Sequence, residues 1–227
     1  MNPDRVATLV SVLGVVLTTA SVIASVAQYR AADLQAQAAV VALMPQLEVR
    51  SLLEKADDNS EKFTDRRIEI TSDGGPVYNL KVDRYTWFEL RIGRKAMFQQ
   101  PLVGYYFAAY PTSHTKGATY TLKGHRNHEA FIAFAKWARG VLGQNVDLSE
   151  PITLLRISYR DALKRDDVEF VRVSGGSEVY LSEDDGQKLW QQRTENEKLD
   201  RAIDIIDLVS AQAANEWITI WKAKLGV

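Results

Sequence analysis

Between Arg5 and Arg30 the chain carries no charge. The run VATLVSVLGVVLTTASVIASVAQY, Val6–Tyr29, is mainly Val, Leu, Ile and Ala with six Ser and Thr. A helix over it spans about 35 Å at 1.5 Å per residue, enough for a hydrocarbon core of about 30 Å. The hydroxyls can bond back to helix carbonyls, and the run lacks the polar face that a helix packed on a water-soluble core needs. The expectation is a single-pass transmembrane anchor over residues 1–29. The rival is a cleavable signal peptide with Ser25-Val26-Ala27 as the cleavage site. Against it stand a long apolar run and an n-region holding only Arg5 beside Asp4.

The rhythm then changes. Arg30–Met44 is rich in Ala, Gln and Leu and predicts a helical stalk over residues 30–45, stopped by Pro45. From Gln46 short alternating runs take over. Strands are expected over Gln46–Leu53, Arg67–Thr71, Val77–Ile92, Val103–Tyr110, Ala118–Leu122, Ile152–Tyr159, Val168–Val173 and Glu178–Leu181, with glycine-rich turns at Asp73–Pro76 and Gly175-Gly176. Helical spacing of Phe131, Phe134, Ala135, Ala138, Val141 and Leu142 interrupts them over Arg126–Leu142, with Asn127 as the cap.

Helical spacing returns at the end. Ser182 with Asp185, and Thr194 with Glu197, fit capping boxes. From Leu199 the apolar positions Ile203, Ile206, Val209, Ala213, Trp217, Ile220 and Trp221 predict one amphipathic helix of about seven turns. It either packs on its own sheet or offers Trp217, Ile220 and Trp221 to a partner subunit or a membrane surface.

The fold class expected is therefore an N-terminal transmembrane helix followed by a mainly-β, sandwich-like domain over 46–181. That domain carries a helical, basic insertion at 93–150, and C-terminal helices fill 182–227. Two segments resemble the immunoglobulin-like domains of bacterial single-pass membrane proteins of unknown function: RIEITSDGGPVYNLKVD (Arg67–Asp83), and LRISYRDALKRDDVEFVRV (Leu155–Val173), where Tyr159 and Asp161 precede a turn. The likeness covers at most half of the chain. It implies an architecture and a binding role, without catalytic residues.

Charge sharpens the picture. The net charge is −1, yet residues 91–139 hold eight basic side chains and one acid, Glu129. Arg94, Lys95, Lys116, Lys123, His125 and Arg126 form the candidate ligand-binding patch for an anionic lipid, a nucleotide or nucleic acid, or an acidic protein. Phe98, Tyr105, Tyr106, Phe107, Tyr110 and Tyr120 are interleaved with it and could stack on bases. In the opposing reading the aromatics are core and the charges are neutralised by acids of the C-terminal third, such as Asp200, Asp204 and Asp207.

The absence of cysteine excludes disulfides, thiolate metal sites and a cysteine nucleophile. His125 and His128 with Glu129 lack a further ligand at helical spacing, so no metal, cofactor or catalytic residue is expected. The reading is a non-enzymatic binding, sensor or accessory module, tethered by its helix to the inner membrane with its domain on the cytoplasmic side, and able to form homo-oligomers. The alternative is a membrane effector of a bacterial defence or exclusion system whose anchors assemble to disturb the bilayer.

Overall fold

The computed structural model describes residues 3–56, 61–92, 97–111, 117–142, 146–199, 201–207 and 211–225. Side chains are described except at 3–13, 15–17, 92, 108, 118, 196–199, 211–214 and 225. The elements run α1 (Pro3–Ala42), β1 (Pro45–Lys55), β2 (Phe63–Gly74), β3 (Tyr78–Ile92), β4 (Phe98–Val103), β5 (Ala108–Pro111), β6 (Gly117–Lys123), α2 (Asn127–Leu142), β7 (Val146–Leu148), β8 (Ile152–Arg160), β9 (Asp166–Ser174), β10 (Ser177–Leu181), α3 (Glu183–Leu199), β11 (Ile203–Asp204) and α4 (Ala211–Leu225). They form two units, Met1–Met44 and Pro45–Val227.

Taken by itself, the first unit is one helix of 40 residues. Thr18 and Ser25 donate their hydroxyls to the carbonyls of Gly14 and Ser21, at 2.8 and 2.9 Å, so these two hydroxyls are satisfied within the helix. Val22, Ile23 and Val26 are exposed. The helix closes on bonds from Leu43 and Met44 to the carbonyls of Val40 and Val41, and Pro45, which cannot continue it, opens β1. Among the described residues no helix is long and apolar enough to cross a membrane. Within the apolar run, the side chains at 6–13 and 15–17 lie outside those residues.

The second unit is mainly β, with two sheets and the remaining three of the four helices. One sheet has the order β1-β2-β6-β5; the other runs β10-β9-β8-β3-β4-β11, with β7 also on β3. Alternation along β2 turns Thr64, Arg66, Ile68, Ile70 and Ser72 inward. Ile68 and Ile70 meet Val82, Phe88 and Leu90 of β3 and Leu155, Ile157 and Tyr159 of β8 in a core shared by both sheets. Burial along β8 is nearly continuous because its other face is covered too. Ile152 and Leu154 join Tyr85 and Trp87 under Leu189 and Trp190 of α3.

Segment 93–150 is no insertion. β4 pairs with β3, while β5 and β6 extend the first sheet from β2. The strand expected over Val103–Tyr110 is broken at Gly104, whose φ is +71°. An added Cβ there would stand 2.8 Å from Asp204 Oδ1. Pro101, with no N–H to give, is the last residue of β4 opposite β3, facing Trp87.

The single long C-terminal helix is also corrected. Ile203 and Ile205 are buried at strand spacing, β11 pairs in parallel with Leu102 and Val103, and Ile205 donates to the carbonyl of Val103 at 3.0 Å. Three β-branched residues in four positions favour that geometry over helix. Ser182 does cap α3, exchanging bonds with Asp185. Thr194 does not cap; it lies inside α3 and bonds back to Trp190.

The edge strands β1 and β10 are joined by side chains. Tyr180 accepts the Val49 N–H at 2.8 Å and donates to the Leu47 carbonyl, and Glu178 accepts the Ser51 N–H at 2.6 Å. The outward backbone of β1 is thereby occupied, which blunts an edge that could otherwise recruit another strand. Tyr180→Phe should lower stability by about 1–2 kcal/mol, since it strands a backbone donor. The denaturant midpoint should fall with an unchanged slope, and hydrogen exchange should accelerate at the Val49 amide but not at buried Val171.

Candidate functional site

The corner Gly124-His125-Arg126-Asn127 joins β6 to α2 and carries two of the expected site residues. Its geometry follows from Asn127, which is fully buried. Asn127 Oδ1 accepts the N–H groups of Arg66 and His128, at 2.8 and 2.9 Å, and Nδ2 donates to the carbonyls of Arg66 and Tyr105, at 3.0 and 2.8 Å. The carboxamide folds back so closely that a Cβ on residue 124 would lie 2.1 Å from it, so Gly124 is required. Arg126 is held at φ 51°, which costs a non-glycine residue about 1 kcal/mol. Its N–H donates to Asp65 Oδ1, and its carbonyl accepts the Ala130 N–H at 2.9 Å to start α2.

This corner turns His125 and Arg126 outward. Both line a cavity of about 430 Å3 with Glu129, Phe107, Ala130, Ala133, Ile205 and Ile206. Arg126 Nε donates to Glu129 Oε2 at 2.7 Å. That contact raises the guanidinium pKa and holds the carboxyl below its usual range. Among the described residues, the terminal guanidinium nitrogens have no protein partner. A guanidinium so placed can present two parallel N–H bonds to a carboxylate or phosphate.

Beneath the corner lies a buried polar cluster. Arg66, 4% exposed, pairs with Glu150 at 2.8 Å. Burial pushes the Tyr105 and Tyr106 hydroxyls well above their ordinary pKa, as neutral groups. His128 is turned inward, and burial, then the charge of Arg66, lower its pKa; Glu150 opposes this in part. His125 and His128 therefore face different surroundings. Among the described residues no group of three His, Asp or Glu side chains is placed to hold a metal ion.

Arg94, Lys95 and Lys116 lie outside the described residues, as does Asp200. Lys123 is exposed on β6 opposite Arg67, whose guanidinium is taken by Glu54 and Glu69. Asp204 accepts the Ile206 N–H at 3.0 Å. Tyr105, Tyr106, Phe131 and Phe134 are core, while Phe107 and Tyr110 are exposed.

Trp217 and Trp221 are corrected from a partner-facing surface to the core. Trp221 is fully buried, with its ring edge-on to Phe88 and Phe134 at 5.9 and 5.7 Å, and its Nε1–H donates to Gln100 Oε1 at 3.1 Å. Ile220 packs against the same cluster.

Sequence reasoning missed Arg66, although parity with Ile68 and Ile70 puts it on the inward face. It also missed the part played by Ile205 and Ile206, which only the break in the terminal helix brings to the cavity; Phe107, expected beside the basic patch, lines the same cavity. No family model matches this chain, and comparison with curated proteins and with solved structures finds no match.

Asn127→Ala strands four buried backbone groups and should cost about 3 kcal/mol or more in an equilibrium melt. Asn127→Asp should be nearly as damaging, because a carboxylate cannot donate to the Arg66 and Tyr105 carbonyls. If Asp restored wild-type stability, the two donated bonds would be shown to contribute nothing.

The lowered pKa of His128 fixes a sign. Below the unfolded value of about 6.5 the unfolded chain binds the proton more readily, so stability rises with pH. The contribution is complete above that value and is lost as pH falls through the folded pKa. Thermal stability should drop between about pH 7.5 and about pH 5.5, and His128→Gln should flatten the drop. An unchanged pH profile in that variant would remove His128 as its source.

Proposed function

We propose that the chain is a membrane-tethered, non-enzymatic binding module of the immunoglobulin-like sandwich kind, whose ligand carries an anionic group held at the His125–Arg126 corner. The observation that carries this reading is the place of Arg126. Its backbone is fixed by Asp65 and by the start of α2, and its side chain lines an otherwise largely apolar cavity.

The tether rests on the uncharged run between Arg5 and Arg30, which falls within one helix. Exposed Val22, Ile23 and Val26 supply the apolar surface that a bilayer would cover. The domain is assigned to the cytoplasmic face of the inner membrane, where its basic segment would meet anionic lipid. Sandwich architecture is supported by two sheets that share one core.

Two experiments test the reading. Full-length protein should stay with membranes through a carbonate wash and the form lacking residues 1–30 should not; a C-terminal alkaline phosphatase fusion should be inactive in intact cells. Retention of the truncated form, or an active fusion, would overturn the tether or its orientation. For the corner, calorimetric titration with acetate and butanoate should show weak binding that falls with salt and is lost in Arg126→Gln. The melting temperature of that variant should change little, since the Arg126–Glu129 pair is exposed and screened by solvent.

A further inference from the structure

Resting on that reading of the corner, we infer that the cavity takes an aliphatic chain bearing a single anionic head, such as a fatty carboxylate. The polar lining is confined to one end: His125, Arg126 and Glu129 stand at the corner and in the first turn of α2. Beyond them every lining residue is apolar. Ala130 and Ala133 are three apart and share a helix face, and their short side chains leave the space open. Opposite stand Phe107 and Ile206, which are 49% and 63% exposed, and Ile205, which is buried.

That opposite wall is built. Ile205 is tied to the Val103 carbonyl and Ile206 to Asp204 Oδ1, so Ile206 is held outward by two adjacent backbone bonds. Exposed large apolar side chains around a concavity are favourable only when something apolar covers them.

The head is specified by charge. The terminal guanidinium N–H groups suit one carboxylate or phosphate-like group, and His125 stands beside them. Glu129, already 2.7 Å from Arg126 Nε, repels a second negative charge and so favours a monoanion. A nucleotide fits poorly: among the described lining residues Phe107 is the one ring beyond the corner, and no polar side chain there meets a base or a sugar.

The test is a titration of full-length protein, in phosphatidylcholine nanodiscs, with acetate, butanoate, hexanoate and octanoate. Kd should tighten about threefold per methylene until the cavity is filled. Octanol should bind more weakly than octanoate, and octyltrimethylammonium should not bind. Arg126→Gln should weaken every acid while keeping the chain-length slope. Ala133→Phe, at an exposed helix position, should fill the cavity and abolish the slope. Ile206→Ser, at an exposed site outside α2, should shallow the slope and serves if Ala133→Phe fails to fold.

Equal Kd values for all four acids, still dependent on Arg126, would overturn the chain and leave the anion-binding corner standing. Binding indifferent to Arg126→Gln, or no binding at all, would overturn both. Phosphatidylglycerol added to the nanodiscs distinguishes the source. If it displaces octanoate from the wild type and not from Ala133→Phe, the same chemistry is supplied by a bilayer lipid.

Discussion

The Asn127 carboxamide uses its whole hydrogen-bonding capacity on backbone, accepting twice and donating twice. Its partners belong to β2, to the link that follows β4, and to the first turn of α2. Those segments are separated along the chain by 61 and 22 residues. Leaving a buried carboxamide unsatisfied is costly, so its placement requires each partner to arrive in register. Gly124 is forced by the close approach of this group, Arg126 enters the left-handed region one residue before it, and α2 starts from the same corner. The outward aim of His125 and Arg126 is a consequence of what lies buried beneath them.

Charge burial follows a similar logic. Arg66 lies on the same inward face as Ile68 and Ile70, where its desolvation would be costly if it stood alone. Glu150, reaching in from solvent before β8, pairs with it. Two tyrosines and a half-buried histidine that is more readily neutral than usual fill the remaining space. The core is thus apolar beneath α2 and α4, where aromatic rings meet edge to face, and polar beneath the corner.

Much of the β architecture was legible because alternation is a local signal. β2, β3, β6, α2, β8, β9 and β10 lie close to their expected spans. What failed was non-local. β7 is three residues long and exists because β3 extends past β8. β4 owes its end to Pro101 and Gly104, and both were swallowed by an expected loop and strand. The basic segment looked like an appendage because charge was counted along the sequence, yet its strands complete both sheets. Trp217 and Trp221 illustrate the same limit: helical periodicity locates an apolar face without saying whether that face meets the chain itself or something else.

The break at Ile203–Ile206 links fold to site. Spacing alone made these residues the start of a helix, and Ile203 and Ile206 do fall on one helical face. The open edge of β4 offers a competing arrangement in which Ile203 and Ile205 are buried instead. Backbone bonds to a strand are won at once, and the branched side chains keep the rotamer freedom that a helix would restrict. The choice leaves Ile206 without a core to enter, and Asp204 fixes it in that outward position. The wall of the cavity is therefore the residue of a conflict between two periodicities. Where local preference and tertiary pairing disagree, the apolar group left outside is a reasonable place to look for a ligand.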